Sequence, residues 1–417
     1  MKTFRTNAHQ RAFTLIELMI AMLIGVFLMA GVIQIFLSAK QAYRLQENLS
    51  RLQENGRFAM DFITKDVRMA GYAGCSSKVT PNSILDPAKI TAPALTSGMN
   101  GVDGVNVTTS SWNSVANALA CGTTPANQCV AGTDVISIQS ASSCGGQLQN
   151  DVSDTAQLDI VTPNECGLAQ DDIAIVASCT SVDIFSISNA QGDSSLVGNG
   201  KQNLAHGAGK FNLVPKLGST YSKNDAEVLV PRLFSYYIRT GAGGIPSLYR
   251  VNNIKPASST NPVELIEGIE DMQILYGVDT EQTPDYIPNY YVDAAAVANI
   301  KIPATGPLGT IATNDSNGVP MNPAPSAWTR VVSVRISLLA VTIDNNLTDE
   351  PQPYFYNGTT ISKANLSASG SGSKAISVLK TDTSQLCPPS GTNCQPADDR
   401  RLHRVFSSTI AIRNRLP

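Results

Sequence analysis

The sequence predicts an α+β protein: one long N-terminal helix, with a membrane half and an amphipathic half, packed on an antiparallel, β-rich exported region. Three observations predict it. Residues 13–37 form an apolar run whose only charge is Glu17. An apolar stripe at helical spacing then continues to about residue 70. Beyond Gly74 the texture changes to short β-rich runs separated by Gly, Ser, Asn and Pro clusters. The expected division is a short basic segment at 1–12, a membrane helix at 13–37 and an amphipathic helix at 38–71. A cysteine-containing β/loop elaboration follows at 72–225, and the principal sheet is expected at 226–417.

The membrane half comes first. Leu18–Leu37 alone is 20 residues, about 30 Å of helix and therefore about the hydrocarbon thickness of a bilayer. That is longer than the apolar core of a cleaved secretory signal. The preceding segment carries Lys2, Arg5 and Arg11 and no acid, which keeps it cytoplasmic and exports the long remainder. Glu17 is the anomaly. A carboxylate at mid-membrane costs about 2.5–3.5 kcal/mol. A place in the first helical turn returns only about 0.3–1 kcal/mol through the helix dipole. A positive partner would settle the balance, and the apolar run has none of its own.

In the outer half, Ala42, Leu45, Leu49, Leu52, Gly56, Ala59, Ile63, Val67 and Ala70 recur at three- and four-residue steps, the stripe of an amphipathic helix. "LQEN" occurs at 45–48 and again at 52–55. No proline interrupts before Pro81, and "AGYAG" (70–74) is the first dense break. Arg44, Glu47, Arg51, Glu54 and Arg57 read as a solvated opposite face with neighbouring opposite charges.

In the exported part, short β-rich runs mark candidate strands at 134–140, 158–162, 172–178, 181–188, 227–240, 247–252, 272–279, 330–344 and 403–417. From 332 to 340, Val332, Val334, Ile336, Leu338 and Ala340 alternate with Ser333, Arg335, Ser337 and Leu339, the pattern of a half-buried strand. "PVELIEGIEDMQILYGVD" (262–279) reads as a helical turn delivering a strand. Its Val263, Leu265, Ile266, Ile269 and Met272 are expected to face inward. "ANLSASGSGSKA" (364–375) reads as a flexible polar loop. Charged residues make up only 15% of the chain, well below the roughly 25% of ordinary soluble proteins. The net charge of −3 implies no attraction to nucleic acid. All eight cysteines follow the apolar run, so disulfides in an oxidising compartment are expected. Proximity favours Cys387–Cys394 and then Cys121–Cys129, with the full connectivity open.

"RAFTLIELMIAMLIGVFL" (11–28) resembles the class III signal of type IV pilins and type II secretion pseudopilins. "RMAGYAGC" (68–75), "LIEGIEDMQILYGVD" (265–279), "VVSVRISLLA" (331–340) and "RRLHRVFSSTIAIRNR" (400–415) are similar to PilW-type minor pilins. The resemblance implies a pilin-like fold. It implies cleavage by prepilin peptidase between Ala12 and Phe13, N-methylation of Phe13, and Glu17 as the docking carboxylate for a neighbour's new amino terminus. Glu17 would then be unpaired in the lone subunit and compensated in the filament. Two features depart from the pattern: Ala12 stands where the family has Gly, and no proline kinks the run. The implied role is a minor pilin in a tip or priming complex. Its partners would be other minor and major pilins, prepilin peptidase and the bacterial inner membrane, with passage to the cell surface. A J-type pseudopilin of type II secretion and a pilus-tip adhesin are the alternatives.

Chemistry leaves little trace. No phosphate loop or nucleophile elbow is present, and "HGAGK" (206–210) is too short for the former. His9, His206 and His403 are the only histidines. No enzyme activity, cofactor or metal is expected. "NDSNG" (314–318) lacks the downstream Glu of a calcium loop and reads as a turn, and "TIDNNLTDE" (342–350) clusters acids after a strand without being expected to bind metal. Arg400, Arg401, His403 and Arg404 beside Asp398 and Asp399 are expected to form a local salt-bridged turn.

Overall fold

The computed structural model describes residues 14–75, 79–104 save 91 and 94, 129–192 save 131 and 200–254 save 242. It also describes 262–300 save 282–283, 327–348, 354–361 save 357–358, and 400–415. Helix α1 runs Leu15–Arg68, 54 residues, or about 81 Å. The strands in chain order are β1 (Asn82–Ser83), β2 (Met99–Val102), β3 (Val135–Gln147), β4 (Leu158–Val161), β5 (Ile173–Ala177) and β6 (Val182–Ser186). Next come β7 (Asn189–Gln191), β8 (Lys201–Ala205), β9 (Glu227–Thr240), β10 (Pro246–Asn252), β11 (Val263–Glu267), β12 (Ile269–Val278) and β13 (Tyr290–Val292). After helix α2 (Ala294–Asn299) come β14 (Val331–Val341), β15 (Tyr354–Tyr356), β16 (Thr359–Ile361) and β17 (His403–Ala411).

An eight-stranded sheet runs β1-β6-β5-β9-β10-β11, with β3 also on β9 and β2 on β3. A four-stranded sheet runs β13-β12-β14-β17, a three-stranded one β4-β8-β7, and β15 pairs with β16. The pairings are antiparallel except β1 with β6. The main core lies where α1 meets both larger sheets. Leu52, Ala59, Ile63 and Val67 pack there with Ile138, Tyr236, Met272, Val334 and Ile410. Burying Leu52, Ile63 and Val67 contributes about 5–9 kcal/mol at about 1.5–3 kcal/mol each. A second core, around Phe185, Leu158 and Leu204, fills the space under the three-stranded sheet.

The helix is fastened along its outer half. The ring of Phe406 on β17 rests on Gly56, where a Cβ would collide with it; this is why the stripe has glycine there. Asn48 is buried on the stripe and donates to the Arg44 carbonyl at 2.9 Å and to Asp344 at 3.1 Å. The Tyr236 hydroxyl of β9 donates to Asp66 at 2.6 Å. At the carbonyl end, Lys65 and Arg68 complement the helix dipole. Asn414 reaches back to donate to the carbonyl of Ala70 at 3.2 Å. Gly71, at φ +73°, then turns the chain so that its N–H donates to the Gln139 carbonyl of β3 at 2.9 Å.

Several expectations are corrected. The stripe begins to pack only at Leu45, which is half-buried, while Ala42 is exposed. Residues 263–267 form strand β11 on β10 rather than a helical turn. Gly268, at φ +75°, provides the break before β12. Because β11 is the sheet edge, Val263 is 43% exposed, whereas Ile269 and Met272 are buried as expected. The largest sheet is not confined to residues after 226. Its long strand β9 begins at Glu227 and pairs with β3 and β5 from the preceding region, so the sheet crosses that boundary. On β14 the five expected inward residues are buried, but so are Ser333 and Leu339. The basic knot near residue 400 is not merely a local turn. Arg401 and His403 reach Glu270 on β12, at 3.6 and 3.0 Å, across the intervening β14. The segments 314–318 and 364–375, with Asp398 and Asp399, lie outside the described residues.

Candidate functional site

The head of α1 is built on a capping box. Thr14 is the N-cap: its Oγ1 accepts from the Glu17 N–H at 3.3 Å, and its own N–H donates to Glu17 Oε2 at 3.0 Å. The Thr14 hydroxyl donates to the same oxygen at 2.9 Å. The expectation that Glu17 is unpaired in the single subunit therefore needs correction. Among the described residues it has no cationic partner, but it is hydrogen-bonded to its own helix start. The signal for this was present as Thr-x-x-Glu at 14–17. Ala12 and Phe13 lie outside the described residues.

From Leu15 to Leu37 every side chain is exposed, including Leu23 at 61% and Phe27 at 72%. Only α1 is long and apolar enough to cross a membrane among the described residues, and its most apolar stretch is covered by none of them. A contiguous exposed surface of this kind marks contact with lipid or another protein. Glu17 lies within it, in the first helical turn. The arrangement offers a carboxylate on an otherwise apolar helix, held by bonds that an incoming cation could replace.

The exported part is stapled. Cys75–Cys179 ties the segment leaving α1 to the turn between β5 and β6, and Cys144–Cys166 closes a 22-residue separation beside the second core. Proximity in sequence did not identify either pair, because chain folding brings Cys75 and Cys179 together across 104 residues. Cys129 is also disulfide-bonded. Cys121, Cys387 and Cys394 lie outside the described residues.

His206 and His403 both have structural contacts. His206 is buried, with Nε2 at 2.8 Å from the Ala156 carbonyl and its ring edge-to-face with Phe185 at 5.7 Å. His403 contacts Glu270. Among the described residues no group of His, Cys, Asp or Glu is arranged to hold a metal ion.

Comparison with known families finds two matches. Residues 7–33 match the prokaryotic N-terminal methylation motif, and residues 235–414 match type IV pilus-assembly protein W, PilW. No curated protein and no solved structure matches the chain significantly. The first match covers the start of the exposed apolar helix and its capping box. The second covers part of β9 and all of the four-stranded sheet packed on α1. With the long helix laid on an antiparallel β-rich body, they identify the chain as a type IV pilin of the PilW type, a structural kind of protein.

Proposed function

We propose that this minor pilin joins a tip or priming complex that starts type IV pilus assembly. Before assembly it is anchored in the inner membrane by α1, with the leader cytoplasmic and the disulfide-bonded body exported. Prepilin peptidase cuts between Ala12 and Phe13, the new amino terminus is N-methylated, and Glu17 receives that cationic terminus from a neighbouring pilin. The supporting observation is the exposed apolar half of α1 with Glu17 held, among the described residues, by its own cap. Packing among other helices would cover the apolar surface, and a neighbour's cationic amino terminus would compensate the charge that burial makes costly.

Three experiments test the reading. Glu17→Ala should leave membrane insertion and cleavage intact while the subunit disappears from sheared pili; normal piliation and incorporation would refute the docking role. Mass spectrometry of the assembled protein should begin at N-methyl-Phe13, and residues 1–12 still attached in pili would refute the processing. Deletion of the gene should abolish surface pili and twitching while type II secretion continues. Loss of secretion with pili intact would assign the chain to the secretion machinery instead.

A further inference from the structure

The two larger sheets are joined by a seam at the start of β3. The Asp134 backbone N–H donates to the Met272 carbonyl of β12 at 2.8 Å, and the Ile274 N–H of β12 donates to Asp134 Oδ2 at 2.8 Å. The residue thus pairs with β12 through one backbone group and one side-chain oxygen. Its other oxygen accepts from the Gly104 N–H, just beyond β2, at 3.0 Å. Gln273 of β12 extends the seam by donating to the Gly132 carbonyl at 3.0 Å.

Acids crowd this junction. Asp103, after β2, accepts from the Ala294 and Ala295 N–H groups of α2 at 2.9 and 2.7 Å. Asp293 caps the same helix through the Ala296 N–H at 2.7 Å. On β12, Asp271 accepts from the Gln273 side chain at 3.0 Å. The Tyr276 hydroxyl is fully buried and, among the described residues, has no hydrogen-bond partner; it ends against Gly101, two residues before Asp103, within the influence of Asp134 and Asp103. Among the described residues neither Asp103, Asp134 nor Asp293 forms an ion pair. A buried carboxylate that stands beside other acids and has no cation is relieved by taking up a proton.

We propose that the seam is a proton-binding site, in which Asp134 takes up a proton as the surroundings acidify and the junction between the two sheets tightens. The electrostatics agree. Burial, the largest effect, and the negative charges of Asp103 and Asp293 push the Asp134 carboxyl up to about 7, against the two backbone N–H groups that favour its ionised form. Asp103 is raised as well, by burial first and by Asp293. An unfolded aspartate titrates near about 3.9. Between about pH 4 and 7 the folded chain therefore holds a proton that the unfolded chain has released, and stability falls as pH rises through that window. Above it both states are ionised and this contribution is flat.

The test is thermal unfolding of the full processed chain in detergent, followed from pH 5 to pH 8 against Asp134→Asn. The wild type should lose a few degrees more than the variant across this range. An equal difference in Tm between the two at both ends would overturn the proposal. Asp293→Asn guards against a variant that fails to fold, because asparagine caps a helix about as well as aspartate. Removing that charge should move the wild-type transition to lower pH, and an unmoved transition would also overturn it.

Discussion

The two halves of α1 share one secondary structure and differ in what covers them. From Asn48 to Val67 the stripe is buried against the protein's own sheets, and its one polar member, Asn48, has named partners in Arg44 and Asp344. From Leu15 to Leu37 the surface is more apolar yet fully exposed. Hydrophobicity is greatest where the subunit supplies no cover of its own. The outer half holds the fold together, whereas the inner half requires lipid or other helices. Glu17 and Asn48 make the same contrast in miniature. Each is a polar group on an apolar helix, but the partner of one lies across the chain and that of the other lies three residues away.

The comparison can be broken by substitution. The largest effect is expected from replacing Cys75 and Cys179 together with serine, which frees the exit of the outer half: a loss of about 2–5 kcal/mol, read from denaturant unfolding under oxidising conditions. An unchanged midpoint would mean that the packed stripe alone secures α1. Ile63→Ala should cost about 2–5 kcal/mol, while Ile24→Ala should leave the unfolding of the exported body within about 0.5 kcal/mol. Equal effects would erase the distinction between the halves. Gly56→Val should cost about 1–3 kcal/mol by forcing the Phe406 ring off the helix, and Phe406→Leu in the same chain should recover part of that loss. Smallest, Thr14→Val should fray the first turn by about 1 kcal/mol, visible as faster amide exchange near Glu17, with the exported body unaffected.

Much of this architecture was legible because it obeys a period. The stripe from Leu52 to Val67, the alternation of β14 and the full extent of β9 at 227–240 follow from apolar spacing alone. Residues 262–267 misled because their spacing satisfies either a helical turn or a strand, and the choice was made by pairing with β10, a tertiary event. Glu17 was legible as a charge out of place. Its partner Thr14 is legible too, because the capping box is written in four consecutive residues. Cys75–Cys179 and the Asp134 seam left no local signal. Each depends on segments more than 100 residues apart meeting in space.

The fastening of α1 at its carbonyl end has a mechanical consequence. A filament under tension would pull each subunit along its helix axis, and that load would reach the body through the contacts from Asn48 to Asn414. Because the contacts are spread along the helix from Asn48 past Gly56 to Ala70, the load would be shared among them. The covalent tie at Cys75 stands behind them, so a helix that slipped would still drag the sheet with it.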